Sequence, residues 1–342
     1  MHALLRPALA LAPLLALAWP RPAAPHALQL AASRFLDALD AQRTNKALFA
    51  FDDAERTHWA FVPGLYPGVL LADLDLPQRR LAHALLREAL SEAGYQKTVW
   101  IMRMEEVLRA RESTPDKPAT QRDPERYAIA LFGDPRKDTR FGLRFQGHHV
   151  SWNLTLVDGA LVSCLPRFLG SNPAEMRDGP FGGTRVLGAA EDAARALLAS
   201  LSEAQRKTAL LPGDCPADIL LGPGRAADLL GTPRGIAFAD LDSAQRGLLW
   251  DVVEGFATDL RSDGATRELE HIRAAGKDGI CFAWIGALEA GKAHYWRIHG
   301  PGFAIESCNI QDGANHVHTV WNDLRNGFGA DALREHVASE RR

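Results

Sequence analysis

The run of residues 293–321 near the carboxyl terminus constrains the fold most strongly, because it holds four of the chain's twelve histidines on stretches that are interpreted as β-strands. Successive side chains of a strand point to alternate faces. In the middle of the run, the segment His299 to Gly302 reads HGPG, which is typical of a tight turn. We therefore expect residues 295–298 to fold back on residues 303–306 as neighbouring strands.

Two histidines near the end of this run, His316 and His318, are separated by one residue. On a strand, residues two apart point to the same face, roughly 6 to 7 Å from each other. Two imidazoles at that spacing can bind one metal ion, at about 2.0 to 2.1 Å each. Asn309 and Asn315 lie just before the pair and are suited to orienting imidazoles. The spacing predicts a metal site.

A second cluster, residues 147–153, reads GHHVSWN and is interpreted as part of another strand. Alternation would place His149 on a polar face with Ser151 and Asn153, and His148 on the opposite, core-like face. His149 is therefore the better candidate ligand. If the two strands are neighbours in space, His149, His316 and His318 surround one ion, and His148 lies beside them as a further candidate.

Further candidates for the site lie on the strands of the first run. Glu306 is in an apolar stretch, where an unpaired carboxylate is costly to bury, so it needs a metal, a histidine or Arg297 as partner. We consider Glu306 and His294 as candidate catalytic groups, either as a fourth ligand or as the acid/base. Cys308 is a candidate ligand, a redox-active thiol or a buried small side chain. The other pocket candidates are polar side chains close to these strands: Asn153, Arg297, Asn309 and Asn315.

Three helix starts share one sequence pattern, in which Asp or Ser stands three residues before Gln. This pattern predicts a capping box, in which the side chain of each residue accepts a hydrogen bond from the backbone N–H of the other. Their spacing is too irregular for a solenoid, so we interpret them as a shared helix start and not as a repeat fold. The three pairs are Asp75 with Gln78, Ser202 with Gln205, and Asp242 with Gln245.

The order of predicted elements indicates an α+β fold with a mostly antiparallel sheet and flanking helices. The length of the chain allows either one large domain or two closely joined domains. Asp158-Gly159 predicts a hairpin turn, and the Gly- and Pro-rich residues 166–183 predict an extended loop. Strands are predicted at 127–132, 141–164, 279–285, 294–298 and 303–308. Helices are predicted at 27–43, 189–211, 242–274 and 323–340.

Composition restricts the classes of function. Of 342 residues, 46% are hydrophobic and 24% are charged, which are globular values. The formal net charge is -3 and no basic tract is present, so nucleic acid is a poor candidate partner. Four cysteines in so long a chain are too few for a disulfide framework, and their three possible pairings stay open: Cys164, Cys215, Cys281 and Cys308.

The amino terminus resembles a secretory signal peptide, with Arg6 before an apolar stretch and a small, Pro-rich end. We predict cleavage after Ala27 and a periplasmic or secreted location. No later segment is apolar enough to span a membrane. Motifs for a serine nucleophile elbow, a P-loop, an HExxH metalloprotease or a CxxC pair are missing. Because imidazole ligands suit zinc and copper, a divalent ion of one of these two metals is the expected cofactor outside the cytoplasm.

Several stretches taken together resemble the family known as domain of unknown function 3500, over about residues 40–337. That resemblance implies one continuous domain, which we place at residues 28–342 after the predicted signal peptide, and frequent secretion signals. It implies no established activity. The chain departs from the family pattern at Ser307 and Cys308, where an aromatic residue and Asp are expected; this puts full activity in doubt or points to a softer metal. The stretches are 122–127, 145–153, 168–175, 294–298 and 314–321.

Two main classes of function stay open at this stage. The first is an exported metalloenzyme, a hydrolase in preference to a copper or iron oxidoreductase, acting on a small molecule, sugar or peptide. The second is a metal-free protein that binds a sugar or peptide in a groove lined by histidines and tryptophans. A buried structural zinc is a third possibility. The tryptophans considered for the groove are Trp152, Trp284, Trp296 and Trp321.

Overall fold

The computed structural model describes residues 26–331 together with 333 and 334. Residues 1–25, most of the predicted signal peptide, lie outside this part, and the first described helix begins at Ala27. Within the described residues, no helix combines the length and the apolar character needed to cross a membrane.

One large, mostly antiparallel sheet of twelve strands forms the centre of the molecule. The predicted α+β class with a single domain is confirmed. The strands are β1 Leu48–Phe49, β2 Val69–Leu70, β3 Ala128–Phe132, β4 Arg140–Gly147, β5 Val150–Val157, β6 Ala160–Ser163, β7 Arg167–Ser171, β8 Ile236–Ala237, β9 Cys281–Gly286, β10 His294–His299, β11 Phe303–Ile310 and β12 His316–Asp323. Their main order across the sheet is β1-β3-β4-β5-β7-β12-β11-β10-β9-β8.

Most of the helices cover one face of the sheet. They are α1 Ala27–Asp37, α2 Ala41–Ala47, α3 Leu76–Ala89, α4 Glu92–Glu112, α5 Gly188–Ser200, α6 Glu203–Ala209, α7 Ser243–Ala257 and α8 Ser262–Ala274. The short α9 Gln311–Ala314 instead connects β11 to β12. Short 3-10 turns occur at Ala54–Thr57, Leu71–Asp73, Ala227–Leu230, Phe238–Asp240 and Gly327–Gly329.

The two faces of the sheet differ in what they bury. The helix-covered face holds the main apolar core, and all four tryptophans considered for a binding groove are part of it, each 0% exposed. The prediction of a binding groove lined by these four tryptophans is therefore wrong. The opposite face carries polar residues such as Arg144 and Asn153, and irregular segments with Trp59, Phe61 and Ile219 cover it.

All three predicted capping boxes are confirmed, with both reciprocal hydrogen bonds present in each. The helices are shorter than predicted because further helix starts lie inside the predicted ranges and divide them. Asp40 caps α2 by accepting from Arg43 N, so the predicted helix 27–43 is two helices. Ser202 likewise begins α6 and divides the predicted helix 189–211. The predicted helix 242–274 is divided between α7 and α8.

Three other predictions need correction. The predicted loop 166–183 contains β7, a buried central strand. The predicted strand 141–164 is interrupted at His148-His149 as well as at Asp158-Gly159. The predicted helix 323–340 does not begin at Asp323, because its Oδ1 accepts from Arg325 N and Asn326 N and forms a turn; residues 332 and 335–340 of that prediction lie outside the described part.

One series of secondary-structure elements occurs twice in the chain. We interpreted the sequence as a shared helix start only, and so missed this internal repeat. A short strand, a 3-10 turn and a capped helix follow one another in β2, Leu71–Asp73 and α3, and again in β8, Phe238–Asp240 and α7. Another helix and three antiparallel strands follow each time, β3-β4-β5 and β9-β10-β11. The two halves meet where β7 pairs with β12.

The caps give a direct test of helix stability. We expect Asp242→Ala to lower the free energy of unfolding by about 1 kcal/mol, because it removes the acceptor for Gln245 N. Urea unfolding followed by circular dichroism measures the change. Ser243→Ala, an exposed change one residue further on, is the matched control and should leave stability nearly unchanged. Equal stability of the two variants would contradict this assignment.

Candidate functional site

Three imidazole nitrogens meet on the loop-covered face of the sheet. The Nε2 atom of His316 lies 2.9 Å from that of His149 and 3.0 Å from that of His318, and the last two are 3.2 Å apart. Tetrahedral ligands at about 2.0 to 2.1 Å from zinc are ~3.3 Å from one another. The three nitrogens therefore have nearly the separation that a shared metal ion requires, and they form a group that could hold one.

Strand β12 supplies His316 and His318, which share a face as the one-residue spacing predicts. His149 comes from a different kind of element. The structure places it in the two-residue turn between β4 and β5, with φ at 63°, and not in a strand. This left-handed conformation is uncommon for residues other than glycine. The strand alternation that we used to orient His149 therefore does not apply, although its ring does reach the other two histidines.

Backbone hydrogen bonds fix this turn on both sides. His149 N donates to Phe61 O at 2.9 Å, and Gly170 N donates to His149 O at 2.8 Å. The Tyr127 hydroxyl donates to His148 O at 2.8 Å. An unusual backbone conformation persists only where the surroundings hold it, and here they hold the residue that carries a candidate ligand.

Carboxylates set the orientation of two of the rings. His318 Nδ1 lies 2.7 Å from Asp218 Oδ1, and His316 Nδ1 lies 3.1 Å from Asp312 Oδ2. An ionised carboxylate only accepts, so each Nδ1 must carry the hydrogen. Each Nε2 then presents a lone pair to the shared point. Lone pairs facing one another at about 3 Å are favourable only with a proton or a cation between them.

The surroundings favour the neutral form of the His149 and His316 imidazoles. Burial lowers the pKa of His149 well below its ordinary value, and the neighbouring histidines His148, His318 and His316 lower it further. Burial and His318 lower the pKa of His316 to about 4, against the opposing effect of Asp312. Neutral imidazole is the form that binds metals, so the cluster is ready for a cation at neutral pH.

A glycine and two aromatic side chains complete the walls around the three imidazoles. Gly170 pairs with His318 across β7 and β12, and a Cβ atom added there would lie 2.9 Å from the Cδ2 atoms of both His149 and His318. The rings of Phe61 and Phe168 meet the His318 ring edge-on, with centroids 5.1 and 5.3 Å away. The missing side chain at Gly170 provides the space in which the two imidazoles meet.

His148, the other histidine of the turn, faces a different partner. Its Nδ1 contacts the carboxylate of Glu105 on α4, and Arg122 lies 3.8 Å from the same carboxylate. Its ring stacks on that of His149 at 3.7 Å between centroids. His148 is thus outside the group of three Nε2 atoms and supports the His149 ring from behind.

Glu306 lies on the same face as His318 but has partners of its own. Its carboxylate accepts from Leu220 N and Leu221 N, each at 2.8 Å, and from the Tyr295 hydroxyl at 2.7 Å. Burial raises its pKa, while these donors and the charge of Arg297 oppose the increase. The need for a partner is met by tyrosine and backbone, which gives Glu306 a role in anchoring the segment at Leu220.

The structure separates His294 from the cluster. It lies on the helix-covered face, where its ring stacks on Trp284 with centroids 4.9 Å apart. Its Nε2 is 3.8 Å from Glu191 on α5. Burial lowers its pKa. His294 and the three clustered histidines are thus on opposite sides of one sheet.

The remaining predicted pocket residues are not part of the group of three histidines. Asn309 Oδ1 accepts from His316 N at 3.1 Å, and Asn315 Oδ1 accepts from Glu175 N at 2.7 Å. Asn153 donates to Pro166 O at 2.9 Å. Cys308 lies opposite His318, but its thiol is directed to Pro216 O at 3.6 Å and burial raises its pKa. Arg297 lies opposite Glu306 in the β10–β11 pair. All four cysteines are free thiols.

Three residues that matter here were missed by sequence reasoning. Asp218 and Glu105 are distant in sequence from the histidines they support, so no local pattern could have identified them. Gly170 belongs to a strand that the sequence predicted as a loop.

We expect Gly170→Ala to weaken metal binding about 10- to 100-fold, the loss typical when ligand orientation is disturbed. The new methyl group would displace the rings of His149 and His318. Competition with a chromophoric zinc chelator measures the affinity. Gly247→Ala, on α7 with open space around it, is the control and should bind metal as the unaltered chain does.

Glu306→Gln should separate a structural role from participation in metal binding. The amide presents a donor towards backbone N–H groups that need an acceptor, so we expect the free energy of unfolding to fall by about 1 to 3 kcal/mol. Metal content per folded chain should not change. Denaturant unfolding and metal analysis of the same sample measure both, and loss of metal at unchanged stability would show that Glu306 belongs to the metal site instead.

Comparison with known proteins identifies the chain by family only. No curated protein and no solved structure matches it. A family model described as "Protein of unknown function (DUF3500)" matches residues 23–330, nearly the whole chain. The chain therefore belongs to the DUF3500 family.

Proposed function

We propose that the protein is a metal-dependent hydrolase with one zinc ion bound by His149, His316 and His318. One observation carries this proposal: three Nε2 atoms lie within 3.2 Å of one another, and two of the rings are turned by carboxylates so that Nε2 is the free acceptor. Nothing but a cation or a shared proton makes that arrangement favourable.

The number of ligands favours catalysis over a structural role. Structural zinc sites usually have four protein ligands, whereas catalytic sites have three and leave one position for water. Among the described residues, the group around His149 contains three histidines and no cysteine or carboxylate that could close it. A zinc ion in such a site lowers the pKa of its bound water to about 7, which supplies a nucleophile for hydrolysis.

The site also lies near enough to the surface for a substrate. The His316 side chain is 13% exposed, and the orienting carboxylates Asp312 and Asp218 are 59% and 34% exposed. Phe61 and Phe168 close the inner side against His318. Approach is thus from the side of His316, and we propose a small molecule, sugar or peptide as substrate.

The proposal includes export. The amino-terminal sequence has the layout of a secretory signal, which favours a periplasmic or secreted enzyme. Outside the cytoplasm a copper-bound form is the main competitor to zinc, since imidazole suits both metals. Copper in the purified protein would favour an oxidoreductase.

The proposal is tested by metal content and hydrolysis together. We expect about one zinc per chain by mass spectrometry of the purified protein, and almost none in the His316→Ala, His318→Ala double variant. Hydrolysis of a simple nitrophenyl ester should disappear after dialysis against a chelator and return on addition of zinc.

His58→Ala is the matched control, because its side chain is 69% exposed and contacts only Glu55 among acidic groups. It should retain both zinc and ester hydrolysis. Equal metal content in the unaltered chain and the double variant would reject the metal site. Bound zinc without hydrolysis of any ester or peptide tested would reject the hydrolase while leaving the site.

A further inference from the structure

A cavity of about 280 Å³ lies at the other end of the sheet, between α8, the β10–β11 turn and the end of β12. Apolar residues form much of its lining, including Ile272, Phe303 and Trp321. Three side chains with metal-binding atoms, Glu268, His271 and Asp323, meet at its wall.

We propose that Glu268, His271 and Asp323 form a second site, which binds a divalent cation. Each offers one ligand atom, and these atoms all lie within 4.8 Å of one another. His271 Nδ1 and Asp323 Oδ2 are 3.5 Å apart. This site is independent of the three histidines and goes beyond the proposed hydrolase.

Glu268 supplies the second observation that points to a ligand. The residue is only 3% exposed, and its Oε1 accepts from Cys164 N at 2.9 Å. Among the described residues, no hydrogen-bond donor reaches its other oxygen and no basic side chain forms an ion pair with it. Burial raises its pKa to about 7, while the charge of Arg267 opposes the increase. A buried carboxylate that borders a cavity and contacts no basic side chain is stabilised by a cation or a proton.

The donors are held in place before any cation arrives. Glu268 and His271 are three residues apart on α8, so they share a face of the helix. The same Glu-x-x-His spacing binds metals in carboxylate-bridged helical bundles. Asp323 is fixed by two backbone donors, Arg325 N and Asn326 N, at 2.9 and 2.8 Å. Its second oxygen is left to face His271.

The internal repeat explains why a cavity exists here. In the first half, the β4–β5 turn carries His148 and His149, and the His148 ring contacts Glu105 on α4. In the second half, the corresponding β10–β11 turn has Pro301 and Gly302 at its centre, which have no side chains that bind metals. Gly302 lines the cavity but has no side chain to act as a ligand. The candidate ligands there are instead on α8 and β12.

A site with one imidazole and two carboxylates prefers a different cation from the site with three imidazoles. Carboxylate oxygens suit manganese and magnesium, whereas imidazole-only sites suit zinc and copper. Manganese is therefore the probe for the second site, and its electron paramagnetic resonance signal reports the free ion. The unaltered chain should bind about one Mn²⁺, and the His316→Ala, His318→Ala variant should bind it equally well.

His271→Ala and Glu268→Gln should each weaken Mn²⁺ binding at least about tenfold. His271 is 45% exposed, so its replacement leaves the fold intact, and a melting curve checks the buried Glu268 variant. Glu270→Gln, exposed on the same helix, is the control and should bind normally. No Mn²⁺ uptake, uptake unaffected by both variants, or uptake lost with His316 and His318 would each overturn the proposal.

Discussion

The pairing of β7 with β12 is the contact on which the rest of the structure depends. In the order of the sheet it is the hydrogen-bonded link between the two repeated halves. It sets Gly170 opposite His318 and Arg167 opposite Trp321. Arg167 is buried and paired with Asp259 at 3.2 Å, which ties the sheet to the helix layer. A slip of one residue would move His318 to the other face and abolish the cluster.

The two halves share a backbone arrangement but differ in the side chains of their hairpin turns. Each has a hairpin turn at the same place, yet only the first turn carries histidines. His149 at φ 63° occupies a conformation that glycine would adopt with less strain. Since strain at one residue costs of order 1 kcal/mol or more, its presence is easiest to explain by what its ring does. The difference between the two halves at this site thus lies in a turn and not in the order of their strands.

Local sequence patterns predicted much of the fold. The features that were not predicted depend on contacts between segments far apart in the sequence. The capping boxes at Asp75, Ser202 and Asp242 depend on residues three apart, and the spacing of His316 and His318 depends on one strand, so both were readable. Strand β7 was not, because it is short and lies between prolines and glycines. The partnership of Asp218 with His318 was not either, since the folded sheet alone brings them together.

The charges around the three histidines decide what an ion there could do. Three neutral imidazoles would leave the ion's positive charge uncompensated, which favours ionisation of a bound water. Asp218 and Asp312 are partly exposed, so solvent screens their charges while their hydrogen bonds still orient His318 and His316. Carboxylates bound directly to an ion would cancel its charge. Because Asp218 and Asp312 contact the Nδ1 atoms of the rings instead, they orient the rings and would leave the charge of an ion available to acidify its bound water.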